Sequence, residues 1–152
     1  MASKRVHIET ANRFHETLAY LCDDVPTHAP WIVTVAFYKG LHLVEAAFAE
    51  DKDIRHTNYH QKRREALTSF PRYRNLHKHY TRLEAFSRCA RYLSTDTGKD
   101  VARFEDYLPA ERIGSEVLFH RLKQVEKSCL KWIGAKSNLL SVDLLKAKFQ
   151  AE

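Results

Sequence analysis

The residues best suited to chemistry lie in one short stretch, IleArgHisThrAsnTyrHisGlnLysArgArg, followed closely by ProArgTyrArgAsnLeuHisLysHisTyr. Two hexamers in it share a form: Arg, then His or Asn, then three residues, then His. They are Arg55, His56 and His60, and Arg74, Asn75 and His79. With thirteen Arg and nine His in 152 residues, chance would place such a hexamer only about 0.1 times. A neutral imidazole can take a proton from a ribose 2′-hydroxyl, and a permanently charged guanidinium can bind the phosphate and stabilise charge growing on it. That pairing cleaves RNA without a metal and leaves a 2′,3′-cyclic phosphate. In one such arrangement His56, His60 and Arg63 act together with Arg55. If the stretch is helical, His56, His60 and Arg63 fall at i, i+4 and i+7 on one face, and Arg72 shares a face with His79. The rival catalytic pair is Arg74 and His79.

The same residues also have structural readings. Histidines on a helix are more often hydrogen-bonded structural groups than catalysts, and neighbouring arginines are more often solvated. His56 and His60, with His77 or His79, could seat a transition metal. No well-placed carboxylate or thiolate accompanies that pair, so neither a metal nor a cofactor is expected.

Charge supports a polyanionic partner. From Ile54 to Tyr92 ten Lys and Arg face two Glu, a net +8 in a chain whose total is +6, so the rest carries −2. Such a local excess is an electrostatic footprint for phosphate. Lys62, Arg64, Arg72, Arg74, Asn75 and Lys78 are the expected RNA contacts, with RNA or a nucleotide as the ligand.

The elements that must position these groups read as helices. Apolar residues make up 44% of the chain and charged ones 29%, with only four Gly and four Pro, a globular balance rich in helix formers. One domain over residues 1–152 is expected. A first helix is expected from about Lys4 to Cys22, then a loop from Asp23 to Ala29. A second, opened by Pro30 and running toward Ala49, is apolar almost all round. Its Thr34, Tyr38, His42 and Glu45 form one polar stripe, either a core network or a site wall. A third helix is expected from His56 or Thr57 to Thr68. Ser69 and Pro71 would open a fourth lasting to about Leu93, Ser94 to Asp100 is a loop, Pro109 starts a fifth, and a short one begins near Ser141. Four main helices with short joins predict an all-α antiparallel bundle.

Cys22, Cys89 and Cys129 are odd in number and far apart, so they read as buried thiols in a reducing cytoplasm. The N-terminus has no apolar signal core, and Lys39, His42 and Glu45 interrupt the one long apolar run, so no membrane association is expected.

The run AlaPheTyrLysGlyLeuHisLeuValGluAlaAlaPheAla from Ala36, the ArgHis...His...Arg segment and the TyrThrArgLeu...SerArgCysAlaArgTyrLeu stretch resemble small HEPN (higher eukaryote and prokaryote nucleotide-binding) domains over about Trp31 to Leu93. The resemblance implies a homodimeric bundle of four or five helices. In many members it implies a ribonuclease of stress or defence whose motif lands on Arg55, His56 and His60, in a site often shared between protomers; His60 is then the expected base, Arg55 the phosphate stabiliser, and His56 and Arg63 orient and bind. An antitoxin or regulatory protein is then a further expected partner. Other members bind without cutting, which leaves a non-catalytic module, or a helical interaction subunit, as the competing expectations. The toxin branch carries a Tyr two residues after the motif His, where this chain has Lys62 and Thr81.

Overall fold

The computed structural model describes residues 2–149, which are helical and contain no strand; Ser94 and Asp100 form an isolated bridge. Helix α1 spans Lys4–Leu21, and its N-cap Ser3 accepts from the Val6 N–H, satisfying one of the first-turn donors. A 3-10 turn, Cys22–Asp24, leads into α2, Val25–Ala49. That helix begins well before Pro30, and the expected loop is mostly its first turn. Asp24 accepts from both the backbone and the hydroxyl of Thr27, and Pro26 occupies the first turn, where it sacrifices no hydrogen bond. These start signals place Pro30 inside the helix.

Helix α2 is the centre of the molecule. Ala36, Phe37, Leu43, Val44, Ala46, Ala47 and Phe48 are fully buried, with α1, α4 and α6 packed around them. A Cβ at Gly40 would meet Leu83 at 3.2 Å, so glycine lets α2 and α4 approach closely. The apolar run of α1 and α2 is long enough to cross a membrane, but 78% of its most apolar window is buried, as in a core helix.

The third helix starts later than its residue spacing suggests: α3 covers His60–Ser69. Upstream of it the N–H of Thr57 donates to Glu45 at 3.3 Å, and the Thr57 hydroxyl donates to the same carboxylate. That tie holds the chain out of the helix, with Arg55 left-handed at φ 65°. His56 therefore precedes α3 and does not share a helical face with His60 and Arg63.

A 3-10 turn, Pro71–Tyr73, opens α4, Arg74–Tyr92, which ends on a left-handed Leu93. Ser69 does not cap it; its hydroxyl donates back to Glu65. The Ser94–Asp100 loop lies where expected, and a four-residue helix α5, Phe104–Tyr107, follows. The Pro109 helix is a 3-10 turn, a π-helical stretch Ile113–Leu122, and α6, Lys123–Ile133. A final 3-10 stretch, Val142–Lys148, starts at Ser141, whose hydroxyl accepts from the Asp143 N–H.

Candidate active site

Glu45, near the end of α2, gathers the site. Its side chain is almost wholly buried, and it accepts from Nε of Arg63 at 2.8 Å besides its bonds from Thr57. Nδ1 of His56 lies 3.6 Å from its other oxygen. A buried carboxylate needs such partners, and together they draw the loop and α3 onto α2.

His60, at the start of α3, sits beside this pair with its side chain 44% exposed. Its Nδ1 is 3.4 Å from Arg63 and 3.7 Å from Glu84 of α4, and its ring packs near Phe37. Burial lowers the pKa of His60; Arg63 lowers it further, Glu84 opposes, and Arg91 and Arg64 add to the depression. His60 is thus neutral near pH 7 and able to accept a proton, with cations on several sides. Arg64 donates to Glu84 at 2.9 Å, and Arg91 reaches the Tyr38 hydroxyl at 3.4 Å. The Arg91 guanidinium also lies over the rings of Tyr38 and Tyr92.

The polar stripe of α2 divides between the two roles open to it. Thr34 bonds its own helix at Pro30. Nδ1 of His42 lies 3.1 Å from Nδ1 of His7 in α1, so one ring donates and the other accepts. Burial, then His7 and Arg63, bring His42 down to about 4. Tyr38, His42 and Glu45 are thus all hydrogen-bonded, and they lie against the Arg63 and Arg91 side of the cluster.

Other candidate residues are placed elsewhere. Arg55 is exposed and lines an open cleft with Ser3, Lys4 and Lys52, making no hydrogen bond or ion pair with His60 among the described residues. Arg72 does not share a face with His79. It sits in the 3-10 turn, where Asp51 binds it through both oxygens at 2.9 to 3.0 Å and Asp53 at 2.7 Å, with Phe70 4.3 Å below. Its role is to anchor the turn.

Arg74 is exposed beside His77, and Asn75 bonds Ser128 at 3.0 Å. His79 is buried, its Nδ1 3.1 Å from Arg121, and burial, Arg121 and His120 bring it to about 4. Arg74 and His79 thus do not converge as a pair. Lys62 is exposed, with its ammonium 5.3 Å from the Tyr59 ring, and Lys78 is exposed.

Several contributors escaped the sequence reading. His7 lies 35 residues from His42, and no local spacing signals it. Glu84 and Arg91 were visible only as members of a charged segment. The largest omission is Lys39, fully buried, whose Nζ donates to Glu126 at 2.6 Å, to the Leu140 carbonyl at 2.7 Å and to His15 at 3.0 Å. Three acceptors match the three donors of an ammonium. Burial and then Lys39 lower His15 to about 4, so its ring accepts.

The chain was compared with protein-family models, with curated proteins and with solved structures, and nothing matches it.

Proposed function

We propose that the protein is a HEPN-like homodimeric helical bundle and a metal-independent endoribonuclease. The observation that carries this reading is His60: neutral, half exposed and flanked by Arg63, Arg64 and Arg91. The three stretches that resemble HEPN domains are the second half of α2, the loop with α3, and α4, all of which contribute to this cluster.

In the reaction His60 removes the 2′-hydroxyl proton, and the 2′-oxygen attacks the adjacent phosphorus. The 5′-oxygen leaves with a proton from solvent or from His56, giving the 2′,3′-cyclic phosphate. Arg55 lines another cleft, so Arg91, which no carboxylate engages among the described residues, takes the phosphate-binding role, with Arg64 beside it on Glu84, and Arg63 positions His60. The exposed Tyr92 ring, beside Arg91, offers a face for base stacking. A cytoplasmic stress or defence effector, held by an antitoxin or regulatory protein, is the setting this activity fits.

A second reading, a non-catalytic module binding RNA or nucleotide, draws on one observation. Arg55, the arginine of the motif, lines another cleft and makes no hydrogen bond or ion pair with His60 among the described residues. The test is incubation of the dimer with diverse single-stranded RNAs in EDTA, followed by analysis of product ends. Cyclic phosphate ends support the nuclease. Salt-sensitive binding with intact RNA supports the module, because phosphate contacts release counterions.

A further inference from the structure

His7, Glu45 and His56 come from three parts of the chain: the second turn of α1, the end of α2 and the loop before α3. One ligand atom of each lies within 4.8 Å of the others. His7 and Glu45 are buried and His56 is exposed, so the group is rigid on two sides and open on the third.

The spacing is wrong for hydrogen bonding and suited to an ion. Nδ1 of His56 is 3.6 Å from Oε2 of Glu45, beyond a hydrogen bond. Two ligands about 2.0 to 2.1 Å from a tetrahedral Zn2+ stand roughly 3.3 Å apart, so the His56 to Glu45 edge is already close to that length. The exposed His56 ring is free to close the remaining gap.

The supporting shell is also present. Nδ1 of His7 is engaged by His42 at 3.1 Å, which leaves Nε2 as the nitrogen His7 can give. Arg63 holds Oε1 of Glu45 at 2.8 Å, which orients the carboxylate. Ligating imidazoles and carboxylates are commonly held in this way by hydrogen bonds to their second atoms.

We propose that His7, Glu45 and His56 bind one borderline divalent transition-metal ion of the Zn2+ class, with solvent completing its coordination. Two imidazoles and one carboxylate disfavour Ca2+ and Mg2+, which want oxygen, and Cu(I), which wants sulfur. Arg63 across the carboxylate weakens the site by repulsion, so the ion exchanges readily. Once bound, it ties α1 and α2 to the loop that leads into α3 and withdraws His56 from any RNA in the neighbouring site. Binding of the ion does not depend on the nuclease reading.

The test is calorimetric titration of EDTA-stripped, dialysed protein with Zn2+, and with Co2+ followed by its visible absorption. One ion per chain is expected. His56→Ala is expected to lower affinity more than about 100-fold, and His42→Ala, which removes only an outer partner, about 10- to 100-fold. His28→Ala, about 20 Å along α2 from His42, is expected to bind as wild type does. Zn2+ should also raise the thermal midpoint of wild type and not of His56→Ala. Because His56 is exposed, circular dichroism of that variant separates loss of the site from loss of the fold. No binding by folded wild type, or unchanged affinity in both His7→Ala and His56→Ala, overturns the proposal.

Discussion

Arg63 of α3 donates to Glu45 of α2 at 2.8 Å, with both side chains almost fully buried. Removing one partner leaves an uncompensated buried charge, at a cost of about 3–5 kcal/mol. Arg63→Leu is therefore expected to lose that much stability in urea unfolding. A loss below about 1 kcal/mol would mean that the pair does not hold α3 in place.

Lys39 and Glu126 are a second buried pair, and their coupling is separable by a double-mutant cycle. Lys39→Met and Glu126→Leu are each expected to destabilise by about 3–5 kcal/mol, and the double variant by clearly less than their sum. Simple additivity would contradict the buried bond.

Helix α1, the body of α2 after Pro30, α4 and the Ser94–Asp100 loop were legible because their signals are local, whereas the start of α2 at Val25 was hidden because Pro30 reads as an opening residue. Leu76, Tyr80 and Leu83 recur at helical spacing, and Thr, Asp and Gly punctuate the loop. The beginning of α3 was not legible, because Thr57 is held out of the helix by Glu45, twelve residues earlier. The π-helical winding of Ile113–Leu122 was missed because apolar spacing reads almost alike in the two helix types. At the candidate site the basic segment and His60 were readable, and Tyr38, His42 and Glu45 stood out as polar groups on an apolar helix. His7 and Lys39 were hidden because their partners are distant in sequence. Arg72 looked like a nucleic-acid contact because its acidic partners, Asp51 and Asp53, lie just outside the basic segment.

Acid should unfold the protein through its histidines. His15, His42 and His79 are each lowered to about 4 by burial first, then by nearby cationic or histidine groups. In the unfolded chain they titrate near 6.5, so between pH 6.5 and 4 the unfolded state binds more protons. Stability is therefore full above pH 6.5 and falls as the pH drops toward 4. Urea midpoints in EDTA at pH 7.5, 6, 5 and 4.5 check this, and His79→Gln is expected to flatten part of the slope. A constant midpoint across that range would contradict the buried, neutral histidines.

The cations of the basic segment should differ in their effect on RNA binding. Arg91→Ala is expected to reduce the slope of log affinity against log salt by about 1, the signature of one lost phosphate contact. Arg72→Ala, with its guanidinium held by Asp51 and Asp53, is expected to leave the slope unchanged while lowering stability, and Arg55→Ala to leave both nearly unchanged. Fluorescence anisotropy with a labelled single strand across a salt series measures the slope. A larger loss for Arg55→Ala than for Arg91→Ala would return the phosphate role to the motif arginine.

The proposed reaction assigns removal of the 2′-hydroxyl proton to His60 and not to His79. Cleavage of single-stranded RNA in EDTA, compared among wild type, His60→Ala and His79→Ala at equal folded concentration, tests it directly. Cyclic phosphate products from wild type and from His79→Ala, with a loss of at least about 100-fold in His60→Ala, are expected. Undiminished cleavage by His60→Ala, or none by wild type, would contradict His60 as the base.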